Sequence, residues 1–268
     1  MSLRPELPIG VFDSGIGGLT VVRALLERLP HENILYFGDT ARVPYGVKSA
    51  ATITQYAAQI TDFLVARRVK LLIVACNTMA AVAVEAIRAR SPVPVLDVIE
   101  AGAAAAIEQT RNRHVGVIGT LATMDSGAYE QAIRRQHPEI TIHSRACPLF
   151  VPLVEEGWLD HPVTRLTAEE YLAPLLTAGI DTLVLGCTHY PLLQPLLQEV
   201  AGAPVRLIDS AHTTAERARQ RLAEMQLLNP GASRPEHRYY VTDVPQRFQH
   251  IGERFLDRPL NTLEVVRW

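Results

Sequence analysis

Short apolar runs rich in β-branched residues alternate along the chain with stretches whose apolar positions recur at every third or fourth residue. The runs Ile9–Phe12, Ile34–Phe37, Leu71–Ala75, Val93–Leu96, Val115–Ile118, Ile140–His143, Thr182–Leu185, Val205–Ile208 and Arg238–Val241 read as strands. Between them, Val21, Val22, Leu25, Leu26 and Leu29 fall at helical spacing, as do Ile53, Tyr56, Ala57, Ile60, Phe63 and Leu64. Such alternation predicts an α/β fold in which parallel sheets are flanked by helices.

The order of features repeats. Gly10-Val-Phe-Asp13 opens one half and Gly116-Val-Ile-Gly119 the other; Cys76 then pairs with Cys187, and Asp97 with Asp209, at offsets of 106, 111 and 112 residues. This predicts two similar α/β domains related by internal duplication. The segment after Asp209 has no counterpart. Its helical stretch Thr214–Leu228 and its strand near Tyr239 are expected to return to the first domain, with Ile99–Thr110 as the crossover. The expected division is 1–98 plus 210–268 for the first domain and 99–209 for the second.

Composition narrows the field. The 268 residues suffice for one large core or two compact domains. A net charge of −2 leaves no electrostatic footprint for nucleic acid or a membrane surface. No apolar run approaches the roughly 20 residues of a membrane span, and the amino terminus lacks a signal-peptide pattern. Three scattered cysteines argue against a disulfide framework and for a reducing cytoplasm. Neither C-x-x-C nor H-E-x-x-H occurs, so no metal site is expected.

The cysteines carry the sharpest signal. Cys76 ends Leu71-Leu-Ile-Val-Ala-Cys76 and Cys187 ends Leu183-Val-Leu-Gly-Cys187, each followed at once by small polar residues, Asn77-Thr78 and Thr188-His189. In open α/β sheets ligands bind beyond the carboxyl ends of strands. Two thiols repeated there suit two bases facing one ligand from opposite sides, as inversion of a carbon stereocentre requires. Both precede expected helices, Thr78–Ala89 and Leu192–Val200, whose dipoles would favour thiolate. Cys147, before Pro148 and without a partner, reads as structural. So do His114, His137 and His143, and Asp97 and Asp209 read as strand-end or cap residues.

Other segments leave alternatives open. Asp13-Ser-Gly-Ile-Gly-Gly18 lies between a strand and a helix, where glycines let the backbone approach a ligand and a helix terminus offers free N–H groups. A phosphate loop is one reading, though the segment lacks the P-loop ending and the dinucleotide register. A tight βα turn with a capping Asp is another. Asp39-Thr40 and Pro44-Tyr45-Gly46 form a rigid turn whose amides suit a carboxylate, or a plain structural turn. Asp13, Glu155 and His189 are the acid–base groups placed to attend the thiols, with Glu155 on the inward side of an apolar helical turn.

At these residues the sequence resembles the glutamate racemases of the aspartate/glutamate racemase superfamily. The segments are Asp13-Ser-Gly-Ile-Gly-Gly-Leu-Thr20, Pro44-Tyr-Gly46, Ala75-Cys-Asn-Thr78, Gly119-Thr120 with Thr123 and Ser126, Pro152-Leu-Val-Glu155 and Gly186-Cys-Thr-His-Tyr-Pro191, in the family's order. The resemblance spans about Ile9 to Asp209, and His189 favours glutamate over aspartate. It implies Cys76 and Cys187 as the proton donor and acceptor pair, assisted by Asp13, Glu155 and His189. It implies substrate contacts from Asp13, Ser14, Tyr45, Gly46, Asn77, Thr78, Thr120, Thr123, Thr188 and His189. The site would lie in the cleft between two α/β domains of a homodimer that supplies D-glutamate for peptidoglycan. No cofactor is expected: the only lysines, Lys48 and Lys70, lie in a turn and ahead of a strand, neither in a Schiff-base context. Two rivals stand beside this reading. A cysteine hydrolase using Cys187 with His189 leaves Cys76 unexplained, and a non-catalytic amino-acid-binding module leaves the paired thiols unexplained.

Overall fold

Residues 3–231, 233–260 and 262–267 are described in the structure, a computed structural model. The strands follow the chain as β1 (Ile9–Asp13), β2 (Ile34–Gly38), β3 (Leu71–Val74), β4 (Val95–Asp97), β5 (His114–Gly119), β6 (Thr141–Ala146), β7 (Thr182–Gly186), β8 (Arg206–Ile208), β9 (His237–Val241) and β10 (Leu263–Val265). They form two parallel sheets, ordered β10-β9-β2-β1-β3-β4 and β6-β5-β7-β8. Without the two tail strands, each sheet has the same order: second, first, third, fourth. The repeat read from the sequence is thus a repeat of topology. Cys76 stands two residues beyond β3, and Cys187 directly beyond β7. In each sheet the chain changes direction of winding between its first and third strands, where ligands of such sheets bind.

Burial explains why the strand pattern was readable. Every residue of β1, β2, β3 and β7 is buried, because helices cover both faces of a parallel sheet. Departures occur at edges. The run expected from Val93 begins its ladder at Val95, since Pro94 has no N–H to donate and contributes only its carbonyl, to the amide of Leu72 at 3.0 Å. The strand expected at Ile140–His143 runs instead from Thr141 to Ala146. There it pairs with β5 from His114↔Thr141 to Gly119↔Ala146, so backbone pairing carries the polar Ser144 and Arg145. The β9 strand pairs with β2 from Ile34↔His237 to Gly38↔Val241, and β10 extends that edge.

Helix boundaries follow capping. Asp97 Oδ1 accepts the amides of Ile99 and Glu100 at 3.0 Å and starts helix Val98–Gln109. Asp209 Oδ1 accepts the amide of Ala211 at 2.8 Å and starts helix Ser210–Glu224, four residues ahead of the apolar pattern expected from Thr214.

At the end of the sheet remote from the cysteines, Lys70 leads into β3, fully buried. Its Nζ meets Glu32 Oε2 at 2.5 Å and donates to the carbonyls of Pro5 and, at 2.8 Å, Leu227. Glu32 Oε1 accepts the amide of Asn229 at 2.9 Å. The ammonium therefore ties the amino-terminal segment, the first sheet and the tail together. Removing one partner strands the other charge. Lys70→Met should lower unfolding free energy by about 3–5 kcal/mol, and Lys70→Met combined with Glu32→Gln should recover much of that loss in urea denaturation.

Candidate active site

The Asp13–Gly18 turn places Asp13 and Ser14 beside Cys76, because β1 and β3 are neighbours in register. Cys76 caps helix Asn77–Arg90, its Sγ accepting the amide of Met79 at 3.5 Å and its thiol donating to Ser14 Oγ at 3.5 Å. Burial nevertheless pushes this thiol up to about 12, the nearby Asp13 charge adding to the effect and the hydrogen bonds from Ser14 and Met79 opposing it. The expected thiolate-favouring helix dipole is thus outweighed by desolvation. Asp13 is itself buried, and burial raises its carboxyl against the pull of His189 and of the amides of Gly15, Gly18 and Ser14. Its Oδ2 accepts the Gly15 amide at 3.0 Å, while Oδ1 is buried without a hydrogen bond among the described residues.

Cys187 is attended differently. The helix expected from Leu192 begins at Gln194, after a short 3₁₀ turn, Tyr190–Leu193, so its terminus stands seven residues past Cys187 and not directly behind it. Instead His189 Nδ1 lies 4.0 Å from Cys187 Sγ. The other ring nitrogen, Nε2, lies 3.2 Å from Glu155 Oε1, and Glu155 Oε2 accepts from Arg247 Nη2 at 3.3 Å. Burial works against a charge on His189, but the hydrogen bonds and charges of Cys187 and Glu155 prevail and push it up to about 10. Glu155 is held below the usual carboxylate range by its hydrogen bond to His189, with burial opposing and Arg247 assisting. At neutral pH the imidazole is therefore an imidazolium, held between the Glu155 carboxylate and the Cys187 sulfur.

The loops of the two sheets meet at contact distance. A Cβ on Gly17 would lie 2.1 Å from Thr188 Oγ1 and 2.6 Å from His189 Nδ1, so only glycine fits. Nearby, Thr20 Oγ1 donates to the carbonyl of Thr188 at 3.3 Å. On the other flank, the hydroxyl of Thr78 lies 3.0 Å from that of Thr120 and 3.3 Å from that of Thr123, which are 2.9 Å apart. A Cβ on Gly46 would approach that of Thr120 to 3.0 Å. Asn77 Oδ1 accepts the Tyr129 hydroxyl at 2.7 Å, leaving Nδ2 buried and unbonded among the described residues.

The residues singled out from sequence thus fall into clusters: Asp13 and Ser14 with Cys76, and His189 and Glu155 with Cys187. Thr78, Thr120, Thr123 and Gly46 line one flank, and Thr188 lies under Gly17. Tyr45 stands apart. Its buried hydroxyl donates to Asp39, whose carboxylate also accepts from Arg42 Nε at 2.6 Å and Thr242 Oγ1 at 3.0 Å, so its side chain is committed to that cluster. Cys147 packs below Cys187, its carbonyl accepting the Tyr190 hydroxyl at 2.8 Å. His114 and His143 stack at 5.5 Å near the opposite end of β5. Sequence reasoning missed Tyr36, whose hydroxyl pins the Gly15 carbonyl at 2.9 Å, along with Tyr129 and Arg247. Each acts across segments distant in the chain, and local spacing carries no trace of such contacts.

Comparison with known proteins fits this geometry. A glutamate racemase from Syntrophus aciditrophicus is 66% identical over 264 residues, covering 98% of each chain. One from Neisseria meningitidis is 59% identical over 97% of each. A crystal structure of glutamate racemase from Francisella tularensis in complex with D-glutamate superposes with a TM-score of 0.92 at 43% identity, covering 98% of both chains. Among the described residues no helix is long and apolar enough to cross a membrane. Residues 9–218 match the family described as Asp/Glu/Hydantoin racemase, and with its duplicated sheets and paired strand-end thiols the chain belongs to that family.

Proposed function

We propose that this chain interconverts L- and D-glutamate by proton transfer between two opposed thiols, Cys76 and Cys187, without a cofactor. The carrying observation is that both cysteines stand at equivalent strand ends in duplicated sheets, each with its own acid–base attendant. The relatives named as glutamate racemases over nearly the whole chain supply the substrate. The reading includes a discontinuous first domain, 1–98 plus 210–268, around a second, 99–209; β9 and β10 support it by joining the first sheet. Residues 1, 2, 232, 261 and 268 of that division lie outside the described residues. It also includes a cytoplasmic homodimer supplying D-glutamate for peptidoglycan, in keeping with the family, and with Val47 and Leu121 exposed beside the Gly46–Thr120 contact.

The charges suggest a resting state. Cys76, held protonated by burial and the Asp13 carboxylate, is the proton donor in that state, and Cys187, 4.0 Å from the His189 imidazolium, is the abstracting base. Cys187 then takes the α-proton from one enantiomer, L-glutamate, and Cys76 protonates the opposite face. That leaves Cys187 protonated and Cys76 ionised, the state that accepts D-glutamate. A buried, unusually basic thiolate at Cys76 is the stronger base for so weak a carbon acid. We assign Asn77 Nδ2, which has no partner among the described residues, and the hydroxyls of Thr78, Thr120 and Thr123 as donors to the substrate's carboxylates and the carbanion's charge. Lys70, buried in its ion pair at the far end of β3, is not placed for a Schiff base.

The primary test is racemisation in deuterium oxide by purified protein with no cofactor added. Deuterium should enter the α-position of glutamate, with kcat/KM for aspartate lower by about two decades, roughly 2.7 kcal/mol. Retention of the α-proton during turnover, or equal rates with aspartate, would refute the corresponding part of the reading.

Replacement of each thiol separates their roles. Cys76→Ala and Cys187→Ala should each cost about three or more decades in racemisation, and Cys147→Ala less than about tenfold. Because mirror-image substrates have an equilibrium constant of unity, kcat/KM must be equal in the two directions, so racemisation cannot reveal sidedness. Elimination of chloride from the enantiomers of β-chloroglutamate needs only the abstracting thiol. There Cys76→Ser should fail with the D-enantiomer and Cys187→Ser with the L-enantiomer; equal loss on both would contradict opposed bases.

His189 also makes stability pH-dependent. Its folded value of about 10 exceeds the ordinary 6.5, so its contribution is complete below about pH 6.5 and is lost as pH rises through about 10. The stability deficit of His189→Asn in urea should therefore be larger at pH 7 than at pH 10. A deficit independent of pH would mean that His189 is neutral in the folded protein.

A further inference from the structure

The helix Pro245–Leu256 belongs to the tail, for which the sequence offered no motif. It is seated on the first half of the molecule: Phe248, Ile251, Phe255 and Leu256 are buried, and a Cβ on Gly252 would lie 2.8 Å from Leu19 Cδ1. From this seat it reaches the acid–base arm of the second half at three points. Arg247 Nη2 donates to Glu155 Oε2 at 3.3 Å, and Arg254 Nη1 donates to the carbonyl of Val154 at 3.5 Å. Phe255 packs edge-on against the His189 imidazole, with ring centroids 5.1 Å apart at 80°.

Glu155 is thereby bridged. One oxygen holds His189 and the other holds Arg247, so the guanidinium fixes both the rotamer and the charge of the carboxylate that orients the imidazole beside Cys187. The side chains of Arg247 and Glu155 are 61% and 29% exposed, so this pair adds little to stability. Its geometric role is separate from that energy. The ionisable groups around Glu155 are His189 from the loop after β7 and Arg247 and Arg254 from the tail helix, with Cys187 and Asp13 beyond the imidazole. Among the described residues the tail helix makes no hydrogen bond or ion pair with Cys76, whose attendants Asp13 and Ser14 belong to the first sheet's own loop, although the His189 charge also acts on Asp13.

We propose that Arg247 is a positioning residue for one face of the reaction: through Glu155 and His189 it tunes proton transfer at Cys187 and leaves Cys76 untouched. This rests on the two-thiol reading above.

The test is elimination from each enantiomer of β-chloroglutamate by the full-length wild type, Arg247→Ala, Arg247→Lys and Cys187→Ala. Cys187→Ala identifies the enantiomer served by that thiol without assuming it. Arg247→Ala should slow that enantiomer about three- to fivefold, the scale of one exposed ion pair, and leave the other unchanged. The acidic limb of the affected pH–rate profile should move to higher pH, since Glu155 loses the cation that favours its ionised form. Arg247→Lys should restore most of the rate, and Arg247→Ala should have no further effect in a Glu155→Gln background. Equal slowing of both enantiomers, no slowing, or an unmoved acidic limb would overturn the role of Arg247. Wild type that eliminates from neither enantiomer, or Cys187→Ala that affects both alike, would instead overturn the two-thiol reading.

Discussion

The structure depends on one close approach. The loop after β1 is pressed onto the loop after β7 so tightly that Gly17 has no space for a single methyl group, which would sit 2.1 Å from Thr188 Oγ1. That contact joins the carboxyl ends of the two sheets. Because Gly17 follows Asp13 by four residues and Thr188 follows Cys187 by one, it also sets where the two clusters stand. Tyr36 secures the first loop from beneath through the Gly15 carbonyl, and Thr20 secures the second through the carbonyl of Thr188.

Duplicated topology has not produced duplicated environments. Cys76 sits at a helix terminus yet is kept neutral by burial and an adjacent carboxylate. Cys187 has no such helix but lies beside an imidazolium held in place by Glu155. Burial disfavours charge at Cys76, and the imidazolium beside Cys187 has no counterpart there among the described residues. The two strand ends are thus equivalent in topology and different in their charged neighbours.

Much of this was legible in the chain. Parallel strands covered on both faces leave unbroken apolar runs, so the strands that flank the site were readable, as were the thiols that follow them. The misreadings lie where local pattern and tertiary context part. At Val93 the apolar run continued but Pro94 removed a donor; at Ser144 and Arg145 pairing with β5 carried polar residues that hydropathy excluded. The strand Leu263–Val265 is a short, half-exposed edge with nothing to distinguish it from a loop. The helix expected from Leu192 is present but starts at Gln194, because Pro191 opens a 3₁₀ turn, Tyr190–Leu193, ahead of it. The attachment of Arg247 to Glu155 spans most of the second half of the chain, and no periodicity records it. Nor does sequence pattern carry the burial that lifts Cys76 or the ion pairing that charges His189.

The hydroxyls of Thr78, Thr120 and Thr123 form a closed triangle with sides of 3.0, 3.3 and 2.9 Å. Each has one proton and two lone pairs, and each proton is free to rotate toward either neighbour. The circuit therefore closes equally well clockwise or anticlockwise, and reversing it displaces no heavy atom. A carboxylate arriving at this corner of the cleft can draw one of these protons outward, which opens the circuit while the remaining hydroxyls stay joined. Adaptation to charge is thus separated from adaptation of shape: one hydroxyl proton turns from neighbour to ligand while the heavy atoms of the seam stay where they are.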